Sequence, residues 1–91
     1  MNNIFMMRER FTILVDATTD EQSKHRDFEE LTGLKRNTVK NLLDGKQRFN
    51  EEHIEVVSAA FPAYKYWLVF GEESPKIGQF SPMSKPYGKT K

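Results

Sequence analysis

The chain has no cysteine, no long apolar run and no glycine-rich linker, and each absence argues against a class of protein. Without cysteine, neither a disulfide framework nor a zinc ribbon is available, and a cytoplasmic setting is expected. The early apolar run, residues 4 to 7, is followed at once by three charged residues and is far too short for a signal-peptide core or a membrane span. We therefore expect no membrane association and no targeting segment.

The length of the chain limits it to one hydrophobic core. A chain of 91 residues buries only about 60 to 65% of its unfolded surface, too little for two cores. Residues 1 to 71 contain nearly all of the apolar periodicity and are predicted to form one domain. Residues 72 to 91 are rich in proline, glycine and lysine, offer little to bury, and are predicted to form a flexible tail.

Acidic residues are almost missing from the middle of the chain. Residues 32 to 50 contain five basic side chains and a single acid, Asp44. Residues 1 to 31 contain four basic and seven acidic side chains, and residues 51 to 73 contain one lysine against five glutamates. The net charge of +1 therefore hides a basic central segment between acidic flanks.

Apolar spacing predicts the first two of five helices. Met7, Phe11, Leu14, Val15 and Thr18 share one helical face, with Arg10 among the polar residues opposite. The second helix is expected to start at Thr19, which forms a capping box with Gln22, or at Ser23. Its inner face would hold Phe28, Leu31 and Thr32, and Gly33 would end it.

Three further helices are predicted between Lys35 and Gly71. The third spans Lys35 to Asp44, buries Val39, Leu42 and Leu43, and ends before Gly45. The fourth is capped by Asn50 and has an inner stripe of Ile54, Val57, Ser58 and Phe61. The fifth begins at Pro62 and is apolar on nearly every side as far as Gly71.

The segment from His25 to Asp44 fits the pattern of two helices joined by a tight turn, the helix-turn-helix. Through FEELTGLKRNTVKNLLDGKQR at positions 28 to 48, the chain resembles the Cro and phage-repressor family over about residues 5 to 71. The resemblance implies an all-α, five-helix, lambda-repressor-like DNA-binding domain. Two positions depart from the family pattern: Glu29 replaces a small residue that faces the partner helix, and Thr32 replaces an aliphatic one. Glu29 would have to reach past the neighbouring backbone, or the angle between the helices would have to open.

The resemblance also implies which residues contact DNA. In this family the second helix of the motif enters the major groove, where arginine suits guanine and asparagine suits adenine. The residues implied to read bases are Arg36, Asn37, Lys40 and Asn41. Those implied to contact phosphates are Lys24, His25, Lys35, Thr38, Lys46, Gln47 and Arg48.

The fifth predicted helix has almost no polar stripe, so we expect one face to pack on the core and another on a second copy. The residues assigned to this core and dimer surface are Tyr64, Trp67, Leu68 and Phe70. A two-fold dimer would match a palindromic DNA site. The function that follows is a transcriptional regulator of the phage- or prophage-repressor type, which acts on double-stranded DNA without a cofactor or small-molecule ligand.

Two alternative functions belong to other functional classes. The same helical fold could bind a protein, as an antitoxin or antirepressor does, and the acidic flanks are compatible with this. A small metal or nucleotide enzyme is disfavoured, because no ligand cluster is visible and His53 lacks a second histidine on its face. We therefore expect His53 to be a surface residue and the protein to have no catalytic site.

Overall fold

The computed structural model describes residues 6 to 88 and contains five α-helices. They are α1 (Met7–Thr18), α2 (Lys24–Thr32), α3 (Arg36–Asp44), α4 (Glu51–Ala60) and α5 (Lys65–Phe70), with 3-10 helices at Glu21–Ser23, Pro62–Tyr64 and Pro75–Ile77. In this part of the chain the only β pairing is an isolated bridge between Ser74 and Gln79. The prediction of an all-helical chain with five helices is confirmed. Residues 1 to 5 of the predicted domain and 89 to 91 of the predicted tail lie outside the described residues.

Aromatic side chains join the helices at the centre of the core. Phe28 of α2 packs edge-on against Phe11 of α1, with ring centroids 5.4 Å apart, and stacks on Phe61 at 5.7 Å. Phe49, in the loop before α4, meets Phe11 from another side at 4.9 Å. Aliphatic residues from α1, α3, α4 and α5 complete the core: Leu14, Val15, Val39, Leu42, Val57 and Leu68. The motif helices α2 and α3 are therefore anchored to the rest of the domain through Phe28, Val39 and Leu42.

Several predicted helix ends are confirmed. Gly33 and Gly45 adopt left-handed conformations, with φ of 88° and 76°, directly after α2 and α3. Glycine suits these positions because it has no Cβ to clash with the backbone. Asn50 caps α4, since its side-chain oxygen accepts a hydrogen bond of 2.8 Å from the backbone N–H of His53.

The sequence predicted that Arg10 lies on the solvent-exposed face of α1, but the structure places it in the interior. Its side chain is only 5% exposed. Nε donates to the carbonyl oxygen of Leu68 at 2.9 Å, and Nη2 donates to that of Val69 at 3.1 Å. These carbonyls lie in the last turn of α5, where no further helical N–H is available to them. A cation there also complements the helix dipole, which accounts for the burial of Arg10.

Of the two predicted starts of α2, the structure has the second, with Ser23 as the N-cap residue, whereas part of the inner face of α2 differs from prediction. Thr19 is not an N-cap: it follows the end of α1, and its hydroxyl donates back to the carbonyl of Val15 at 2.6 Å. Asp20 instead accepts a hydrogen bond from the backbone of Gln22 and starts a 3-10 turn, so α2 begins only after Ser23. Leu31, predicted to be buried, is 39% exposed.

His53 is buried rather than a surface residue. It is 7% exposed and stands at the third position of α4. Its Nδ1 accepts a hydrogen bond of 3.3 Å from the backbone N–H of Asn50, while its own N–H donates to the Asn50 side chain. His53 thus takes the place that glutamate or glutamine holds in a capping box, and this structural role explains its burial.

The prediction of a flexible tail with little to bury does not describe residues 72 to 88. The backbone N–H of Phe80 donates to the carbonyl of Ala63 at 2.8 Å, and the hydroxyl of Tyr64 donates to that of Lys85 at 2.8 Å. Burial raises the pKa of Tyr64 above its ordinary value, and Tyr87 raises it further. Ser81 is buried, and Tyr87 packs on Phe61. These long-range contacts supply the burial that the local composition lacks.

Candidate nucleic-acid interface

The turn between α2 and α3 is fixed by the side chain of Thr32. The Thr32 hydroxyl donates to the carbonyl of Phe28 at 2.7 Å and accepts from the backbone N–H of Leu34 at 3.1 Å. The N–H of Gly33 returns to the carbonyl of Glu29 at 2.7 Å, and Leu34 is buried. An aliphatic side chain could not make these two contacts, so threonine has a structural role at this position.

The outer face of α3 is polar and accessible. Arg36, Asn37 and Lys40 are exposed, and Asn41 is half-buried. Val39 and Leu42 on the opposite side are fully buried, which fixes the rotation of the helix. The four candidate base-reading residues occupy positions i, i+1, i+4 and i+5, which lie together on one side of an α-helix.

Glu29 and Asp44 are each paired with a cation of this face. Glu29 places its carboxylate 2.7 Å from Nε of Arg36. The Glu29 side chain is 31% exposed, so its carboxylate is not enclosed between the helices. Asp44 lies 2.8 Å from the ammonium of Lys40, one turn earlier on α3. The hydrogen bond from Lys40 lowers the pKa of Asp44, and the charges of Lys40, Lys46 and His25 lower it further.

The candidate phosphate-binding residues differ in their surroundings. Lys35, Lys46 and Arg48 are exposed on the turns that flank α3 and make no ion pair with another described residue. The half-buried residues are Thr38, Gln47, Lys24 and His25. The ammonium of Lys24 lies 3.5 Å from the carboxylate of Asp16, which makes it less available than the others.

Two arginines outside the predicted set, Arg26 and Arg8, also lie near this surface. Arg26 lines a shallow depression between the starts of α2 and α3, together with Arg36, Lys24 and His25. The guanidinium of Arg8 lies against the end of α3: a Cβ placed on Gly45 would be 3.3 Å from its Cζ. Arg26 could have been noticed from the run of basic residues 24 to 26, whereas the place of Arg8 depends on how α1 crosses α3.

Comparisons with protein-family models, with curated proteins and with solved structures gave no match to this chain. Within residues 6 to 88, no group of three histidine, aspartate or glutamate side chains is arranged to hold a metal ion. None of the helices described above is both long and apolar enough to cross a bilayer. The geometry of α2, α3 and α5 is therefore the basis for a proposal of function.

Proposed function

We propose that the protein is a sequence-specific DNA-binding regulator that inserts α3 into the major groove. The observation that supports this best is the two-sided character of α3, which joins a buried face of Val39 and Leu42 to an exposed face of arginine, lysine and asparagine. A major groove about 12 Å wide admits one α-helix. The three-residue turn after α2 and the two glycine-ended helices give α3 the support such a helix needs.

The side chains on α3 suit direct recognition of bases. Arginine donates two hydrogen bonds to O6 and N7 of guanine, and asparagine forms a matching pair with N6 and N7 of adenine. We assign the guanine contact to Arg36 and adenine contacts to Asn37 and Asn41, with Lys40 close by. The residues assigned to phosphates, which set register rather than sequence, are Lys35, Thr38, Lys46, Gln47, Arg48, Lys24 and His25.

An apolar patch at α5 supports the proposal that the protein acts as a dimer. Tyr64, Trp67 and Leu68 are buried in the core, whereas Phe70 is 60% exposed. Phe70 lines a shallow groove with Tyr66, Val69 and Ile77, and Ile77 is 68% exposed. A second copy that covers this patch by two-fold symmetry would present two α3 helices to a palindromic site, about 34 Å apart. Occupation of such a site would block polymerase, which is the steric mode of a repressor.

The dimer proposal predicts that Phe70→Ser weakens self-association. Removing this apolar side chain from both copies is expected to raise the dimer dissociation constant about tenfold or more. Sedimentation velocity over a series of protein concentrations measures the change. Met83→Ser is the matched control, because Met83 is similarly exposed but does not line the groove. A wild-type protein that stays monomeric at every concentration would rule out the dimer.

The DNA-binding proposal predicts a steep dependence of affinity on salt, because bound lysines and arginines release counterions from the phosphates. Lys46→Ala should weaken binding to all duplexes alike and reduce the slope of log K against log salt by about 1 per copy. Fluorescence anisotropy with a labelled duplex, from about 0.05 to 0.3 M salt, measures both effects. Lys76→Ala is the control, since Lys76 is exposed on the 3-10 helix after α5. A DNA-binding constant that does not change with salt concentration would contradict the proposal.

The exposed patch at Phe70 and Ile77 also supports a second candidate function, a module that binds another protein. A protein partner held by this apolar surface would respond little to salt and would not depend on Arg36 or Lys46. The salt series therefore separates the two functions.

A further inference from the structure

Glu29 makes a contact that the sequence pattern does not predict. Its carboxylate accepts a hydrogen bond of 2.7 Å from Nε of Arg36, across the turn that joins α2 to α3. Glu30, the next residue on α2, is exposed and forms no ion pair with any described residue. Of these two neighbouring acids, only Glu29 holds the arginine.

The contact with Glu29 uses Nε of Arg36 and not its two terminal amino groups. A guanidinium has five N–H donors in a planar fork, and Nε supplies one of them. The terminal amino groups of Arg36 make no hydrogen bond with the described part of the chain. They are therefore available as a pair for two acceptors on one base edge, while Glu29 restricts the rotation of the side chain.

We infer that Glu29 is a positioning residue that orients Arg36 for guanine. This inference rests on the proposed function. An arginine loses much rotamer freedom when it binds, and an arginine already held by a carboxylate loses less. The carboxylate also cancels the charge of Arg36, which weakens its attraction to phosphates while leaving its terminal donors free. Glu29 therefore favours specific over non-specific DNA.

The test compares Glu29→Gln with Glu30→Gln, which remove the same charge from adjacent positions of α2. Base preferences are measured by binding to the enriched site and to all its single-base variants. Exposed ion pairs have modest energies, so Glu29→Gln is expected to reduce the preference for guanine by up to about fivefold in each half-site. Its affinity for non-specific DNA should rise. Glu30→Gln should leave every base preference unchanged.

A double variant separates positioning from direct reading. In an Arg36→Ala background, Glu29→Gln should have no further effect on that base pair, because the residue acts through the arginine. An independent effect in this background would mean that Glu29 itself contacts the base, and would overturn the inference. If Glu29→Gln and Glu30→Gln give the same base preferences, the inference fails while DNA binding stands. If the wild type enriches no sequence, the proposed function itself is wrong, and the inference about Glu29 is wrong with it. Circular dichroism confirms that each variant is folded.

Discussion

Replacement of Arg36 by alanine is expected to remove the preference for one base pair in each half of the DNA site. A two-hydrogen-bond contact between arginine and guanine contributes about 1 to 3 kcal/mol of discrimination. Two half-sites contribute roughly additively, so the affinity of a dimer for its best site should fall by about 2 to 6 kcal/mol. Arg36 is exposed and its only partner among residues 6 to 88 is Glu29, so its replacement should not destabilise the fold.

The measurement is a titration of each protein against the best site and against sites changed at one base pair. Arg36→Ala should bind these sites with equal affinity where the wild type distinguishes them. Arg48→Ala is the matched control: this arginine is exposed on the loop after α3, and its loss should weaken all sites by the same factor. An Arg36→Ala variant that keeps the wild-type base preferences would show that α3 does not read DNA through this residue.

Replacement of Phe28 by alanine is expected to lower the free energy of unfolding by about 3 to 5 kcal/mol. The side chain is fully buried and is in ring contact with Phe11 of α1 and with Phe61, directly after α4. Its removal would leave a cavity where three parts of the fold meet. Because small domains have total stabilities of about 5 to 15 kcal/mol, a large share of the stability would be lost.

Urea unfolding followed by circular dichroism measures this change. Leu31→Ala is the matched control, because Leu31 lies on the same helix and is 39% exposed. The structure predicts a cost below about 1 kcal/mol for Leu31→Ala. An equal loss of unfolding free energy in the two variants would contradict the packing described here. It would indicate that Leu31 is buried on the inner face of α2.

The local features of the fold could be predicted from the sequence because they depend on nearby residues. The glycines after α2 and α3 and the cap at Asn50 follow from backbone geometry over four or five residues. The rotation of α3 follows from the spacing of Val39 and Leu42. These features also place the candidate site residues on one face of α3, so most of that surface could be anticipated before the structure.

The features that could not be predicted depend on partners far away in the sequence. The burial of Arg10 requires the carbonyls of Leu68 and Val69, 58 and 59 residues away. The packing of residues 72 to 88 requires Ala63 and Tyr64 as partners. The pair of Glu29 and Arg36 spans only seven residues, but it depends on the turn between α2 and α3. Helical periodicity contains no information about contacts of this kind.

Selection of binding sites from randomised duplex DNA by the purified wild-type protein, at about 0.1 M salt, tests whether α3 reads the major groove. We expect enrichment of a palindrome whose half-sites are about 10 base pairs apart and contain a guanine that depends on Arg36. Enrichment of no sequence would contradict the claim that α3 reads the major groove, and would make a protein partner for the patch at α5 the leading explanation.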